Sequence, residues 1–179
     1  MPRYAAFLRG INVGGTRITK DELCAPFRAL GLEDVTTFRA SGNMIFEAPR
    51  QSEAKLAARI EERLAADLGF TRAITFIRTA GEIRALAADD PIPREPGQNL
   101  HVMFCLKKPA AEVLEFATDS DPLVIGRREL YWGPAGRMTD SEIDLKGIEK
   151  LIGPTTMRTK DTVDEIARRY FGASTERRQ

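Results

Sequence analysis

The sequence predicts an α+β protein of two ferredoxin-like halves packed into one compact unit, and three observations carry that reading. Strand and helix signals over residues 1–78 run strand, helix, strand, strand, helix, strand, the order of a split βαβ unit. A proline-rich connector follows. A second series, strand, helix, strand, strand, helix, occupies 99–171 without obvious sequence identity to the first, which points to a structural duplication. The expected organisation is a ferredoxin-like half over 1–78, a helix and connector over 79–98, a second ferredoxin-like half with C-terminal helices over 99–171, and a frayed tail over 172–179.

Each element has a local cause. Tyr4 to Arg9 has the apolar content of a buried strand. Thr19 with Glu22 forms a capping box that starts a helix running to Gly31, and Pro26 inside it predicts a kink or a later start. Asp34 to Arg39 and Met44 to Glu47 flank Ser41-Gly42-Asn43 as a hairpin, ended by Pro49. Ser52 caps a helix whose Leu56, Ala57, Ile60, Leu64 and Leu68 share one face, and Gly69 stops it. Ala73 to Ile77 is a strand, Thr79 to Ala88 a helix, and Asp89 to Gly97 the connector.

In the second series Leu100 to Leu106 reads as a strand and Ala110 to Ala117 as a helix. Leu123 to Ile125 and Glu129 to Trp132 form a hairpin around Arg127 and Arg128, and Ser141 to Ile152 is a helix ended by Gly153-Pro154. The last helix carries Val163, Ile166, Ala167, Tyr170 and Phe171 as an amphipathic stripe.

Composition bounds the function. The 179 residues are 42% hydrophobic and 30% charged, with 27 Lys and Arg against 26 Asp and Glu, so no global field recruits nucleic acid or an anionic surface. An anion site must therefore be local. No apolar run is long enough to span a bilayer and no leader pattern opens the chain, which reads as cytoplasmic. Cys24 and Cys105 lack partners at redox or metal spacing and read as buried small hydrophobes.

The most informative segment is Leu8-Arg9-Gly10-Ile11-Asn12-Val13-Gly14-Gly15. Its three glycines free the backbone to expose amides, with the Arg9 cation beside them, and it can equally be a tight structural turn. In a split βαβ unit this loop and Ser41-Gly42-Asn43 share one rim with the start of the Thr19 helix. Arg9, Gly10, Asn12, Gly14, Gly15, Ser41, Gly42 and Asn43 would then offer donors to a phosphate or carboxylate. Arg158 would add a second cation if the C-terminal segment returns to that rim. The glycine spacing fits neither a nucleotide P-loop nor a dinucleotide fingerprint.

The Tyr4 to Gly15 block, with its Arg-Gly-Ile-Asn-Val-Gly-Gly core, and Ser41-Gly42-Asn43 ahead of an apolar strand resemble bacterial domain-of-unknown-function family 1697. Arg158, Thr162 and Val163 fit that family's later motif, and Lys160 stands where it has an aromatic. The resemblance covers essentially the whole chain. It implies two ferredoxin-like halves and hands over no activity.

Other chemistries meet ordinary explanations. His101, the only histidine, lies in a strand and reads as a satisfied structural residue, and the ligand count excludes a usual zinc site. Asp89, Asp90, Asp119, Asp121 and Asp140 are turn formers first and carboxylate ligands for Mg²⁺ second, and no metal is assigned. Arg127 and Arg128 read as solvated charge at a hairpin tip. Tyr4, Phe7 and Phe46 read as core, and no aromatic RNA-binding signature is present. The expected function is binding of a small anionic ligand at the glycine rim, with catalysis and any cofactor left open and no nucleic-acid or membrane partner expected. An RNA-associated module and a ligand-free interaction scaffold are the alternatives.

Overall fold

The computed structural model describes residues 1–11, 17–39 and 42–172. The tail expected to fray lies outside these beyond Gly172. In chain order the elements are β1 (Arg3–Arg9), α1 (Lys20–Ala29), β2 (Glu33–Thr37), β3 (Asn43–Glu47), α2 (Glu53–Leu68), β4 (Ile74–Thr79) and α3 (Ala80–Ala88). Then come β5 (His101–Cys105), β6 (Leu123–Ile125), β7 (Glu129–Trp132), α4 (Leu145–Ile152), β8 (Thr155–Thr159) and α5 (Lys160–Tyr170).

The strands form two four-stranded antiparallel sheets ordered β2-β3-β1-β4 and β6-β7-β5-β8. In the first, β3 lies between β1 and β2, and β1 between β3 and β4, so each strand–helix–strand crossover is split by an antiparallel strand. The second sheet interleaves its strands in the same way. Its fourth strand, β8, was not legible as a strand. Thr155-Thr156-Met157-Arg158-Thr159 is polar and short, and its pairing with β5 at His101↔Thr159 through Cys105↔Thr155 supplies what its composition does not advertise.

Helix boundaries follow their caps. Thr19 and Glu22 form the capping box, with the Thr19 amide donating to Glu22 Oε2 at 2.7 Å. α1 therefore begins directly after Thr19, and Pro26 sits inside it on the buried face with Leu23, Cys24 and Phe27. The expected later start does not occur, because the cap and this buried face outweigh one missing amide donor. Ser52 caps α2, and Gly69 ends it at φ 74 in the left-handed region.

Residues 110–117 form a 3₁₀ helix, Ala111–Phe116, instead of an α-helix; Ala110 offers no side-chain cap, and Val113 is the one buried residue. α4 starts four residues later than expected. The Ser141 hydroxyl donates to Asp121 Oδ1 at 2.6 Å, whereas the Asp144 carboxylate accepts the Gly147 amide at 2.8 Å and makes the cap.

Three apolar layers result. One lies between the first sheet and α1 with α2, and another between the second sheet and α4 with the 3₁₀ segment. The third joins the sheets themselves: Ala5, Phe7, Ile45 and Phe76 meet Val102, Phe104 and Tyr131, with α3 and α5 closing it. Phe7 and Phe104 stack across this seam at 3.9 Å between centroids and 13° between planes, both wholly buried.

Candidate functional site

β1 leaves its sheet at Arg9-Gly10 against the turn that enters β4. A Cβ on Gly10, which has φ +79, would stand 2.6 Å from the Arg72 carbonyl oxygen, so both conformation and space demand glycine here. On the other side the chain meets the β2–β3 turn. The Leu8 amide donates to the Gly42 carbonyl at 2.9 Å, and a Cβ on Gly42 (φ +74) would stand 2.9 Å from Ile11 Cδ1. The described ends of the two loops thus touch on one edge, as the strand order requires. Asn12, Gly14, Gly15 and Ser41 lie outside the described residues.

The second sheet reaches the same edge through β8. Arg158 donates from Nε to Asn43 Oδ1 at 2.7 Å, from Nη2 to the Leu8 carbonyl at 3.0 Å, and from Nη1 to Thr156 Oγ1 at 2.8 Å. Its guanidinium lies over the Phe7 ring, 5.8 Å from the centroid. Burial lowers its pKa to about 10. Asn43 is 1% exposed, and its Nδ2 donates to the Phe38 carbonyl at 3.0 Å, so its amide orients Arg158 and closes the turn.

Arg39 adds a cation that the sequence reading passed over. It has φ 56, a left-handed conformation uncommon outside glycine, at the turn itself. Its Nη1 donates to Thr162 Oγ1 at 3.1 Å and its Nη2 to Glu165 Oε2 at 2.9 Å, tying the turn to the start of α5. The signal available in advance was a charge beside the Ser-Gly-Asn turn, and charges beside turns are ordinarily solvated.

Arg9 points elsewhere. Its guanidinium grips the Glu149 carboxylate of α4 through both Nη atoms, and Nη1 also donates to the Thr155 carbonyl at 2.8 Å. Glu149 Oε1 further accepts the Thr155 amide at 3.1 Å and the Thr155 hydroxyl at 3.0 Å. Burial works to raise the Glu149 pKa, but the hydrogen bonds from Arg9 and Thr155 outweigh it and hold the carboxyl below its ordinary range.

The remaining candidates have structural settings. Cys24 and Cys105 are free and buried, and burial pushes the Cys105 thiol up to about 12, well clear of nucleophilic reactivity near neutrality. Asp121 Oδ1 accepts from Trp132 Nε1 at 2.8 Å as well as from Ser141, which makes it an internal post. Among the described residues no three His, Cys, Asp or Glu side chains gather as metal ligands. No described helix is long and apolar enough to cross a membrane. Arg128 is not the solvated charge expected: it donates to Glu53 at 3.0 Å and Glu82 at 2.6 Å, because the hairpin tip tucks against α2 and α3.

His101 is buried beside Trp132, and its Nε2 has no hydrogen-bond partner among the described residues, unlike the satisfied residue expected. Burial lowers its pKa from 6.5. The unfolded chain therefore binds a proton below about pH 6.5 that the native imidazole resists, and stability falls as pH drops through that value. Urea midpoints at pH 7.5 and 5.5 should show this fall, and His101→Leu should flatten it.

The profile of a family described as a protein of unknown function, DUF1697, matches residues 1–131. No curated protein matches the chain. The solved structure of a conserved bacterial protein, SP0830 from Streptococcus pneumoniae, superposes with a TM-score of 0.67 at 22% sequence identity, covering 93% of this chain and 97% of that one. That likeness concerns the fold.

Proposed function

We propose, starting from the fact that this chain belongs to the DUF1697 family of proteins of unknown function, that it binds a small phosphate- or carboxylate-bearing ligand at the rim where the end of β1, the turn into β3 and the end of β8 meet. One observation carries the reading. Arg158 comes from the second sheet, yet its guanidinium is held in a partly desolvated position by Leu8 and Asn43 of the first. An anion brought to such a cation meets less competition from water than at an exposed arginine.

Arg39 supports the same reading from the turn side, where a strained backbone presents a second guanidinium beside the start of α5. Tyr4, Phe7 and Phe46 are 5%, 0% and 0% exposed, which favours a small ligand over RNA stacked on the sheet.

The test is thermal unfolding with inorganic phosphate at constant ionic strength. At tenfold excess over Kd the stabilisation is about 1.4 kcal/mol, a rise of roughly 3–6 °C in Tm. Arg39→Gln, at a half-exposed side chain, should shrink the rise without altering the ligand-free Tm by more than a degree or two, and Arg158→Gln should abolish it. A wild-type Tm indifferent to phosphate, carboxylates and phosphate monoesters alike would overturn the reading.

A further inference from the structure

The Arg9–Glu149 contact has the donor arrangement of an anion seat. Two guanidinium nitrogens, one backbone amide and one hydroxyl, from Arg9 and Thr155, all converge on a single carboxylate. That carboxylate belongs to the chain itself. Both partners remain partly open to solvent, with side-chain exposures of 40% and 33%, so water and a solute can reach the seat. A cavity of about 340 Å³ opens beside them, walled by Met103 and Met157, with Lys146 and Thr156 adding polar groups.

We propose that the Arg9–Thr155 seat is a binding site for the carboxylate of an external ligand, and that Glu149 occupies it in the ligand's absence as an internal competitor. The inference rests on the anion-binding reading of the adjoining rim and deepens it by naming the ligand's anionic group. A carboxylate is favoured because the donors already converge on one. Glu149 stands on α4, a helix of eight residues that Gly153 ends, so its side chain has solvent on one side into which to withdraw. Arg9 of the seat directly follows Leu8, whose carbonyl accepts from Arg158, which joins the seat to the rim.

The experiment measures succinate and inorganic phosphate binding by NMR titration of the intact wild type, Glu149→Ala, Glu149→Gln, Arg9→Gln, Arg39→Gln, Arg158→Gln and the Arg9→Gln/Glu149→Ala double variant. Removing the competitor should tighten succinate binding about fivefold in Glu149→Ala and by a smaller factor in Glu149→Gln, and the gain should vanish in the double variant. Unchanged succinate affinity in Glu149→Ala overturns the proposal, as does a gain that survives loss of Arg9. A gain for phosphate without one for succinate overturns the carboxylate assignment. The two readings separate cleanly: binding that depends on Arg39 and Arg158 but ignores Glu149 leaves the rim and removes the seat, whereas binding gained only in Glu149→Ala and dependent on Arg9 leaves the seat and removes the rim. The amide spectra of the variants report whether each is folded.

Discussion

Arg78→Met is expected to lower the unfolding free energy by about 3–5 kcal/mol, the range for breaking a buried ion pair by removing one partner. Arg78 and Glu129 are 1% and 5% exposed at the side chain and are joined at 2.7 Å between Nε and Oε1, one on β4 and the other on β7. Burial acts to lower the Arg78 pKa, with the Glu129 charge opposing it, so the pair survives only because each member holds the other. Arg78 also donates to the carbonyls of Ile77, Cys105 and Arg128, three acceptors that methionine leaves without it.

Urea unfolding should accordingly show a lower midpoint, and calorimetry a fall in Tm of roughly 6–20 °C. The double variant Arg78→Met/Glu129→Met should recover only part of the loss. An isolated pair replaced by apolar groups can be nearly neutral, but here three carbonyls also lose the Arg78 donor, the Arg128 carbonyl keeping the Cys105 amide and the Ile77 carbonyl keeping Arg128 Nη2. Full recovery would show that the carbonyl contacts contribute nothing.

The second large effect is at Phe104. Phe104→Ala is expected to cost about 3–5 kcal/mol, the transfer of a whole ring plus the cavity it leaves. Phe7 loses its stacking partner, and the Arg78 guanidinium, 5.2 Å from the Phe104 ring centroid, loses its aromatic floor. Combining Phe104→Ala with Arg78→Met should therefore be less damaging than the sum of the two, with a coupling of about 0.5–3 kcal/mol for groups in contact. Strict additivity would show that the ring and the ion pair hold the seam independently.

These contacts show where the sequence is eloquent and where it is not. Local chemistry was readable: the Thr19 capping box, the Ser52 and Gly69 limits of α2, the β2–β3 and β6–β7 reversals and the α5 stripe all follow from nearest-neighbour rules. β8 was not readable, since three threonines, a methionine and an arginine become a strand only through their pairing with β5. The meeting of Gly42 with Leu8 and Ile11 followed from strand order alone. Arg9 and Arg39 show the limit. An arginine's direction depends on which carboxylate lies within reach, and Glu149 and Glu165 are separated from them by 140 and 126 positions. His101 similarly carried no sign that its Nε2 would lack a hydrogen-bond partner among the described residues.

The reach of Arg158 also sets an order of events during synthesis. It touches Asn43 and Leu8 across 115 and 150 positions, so the backbone that grips it emerges from the ribosome long before the guanidinium does. A nascent chain can pair β1 with β3 and β4 early, yet it presents an unfinished surface until the last strand threads home beside β5. Ligand capture at that rim would therefore be a property of the finished polypeptide alone, and any fragment stopping short of β8 should be blind to it.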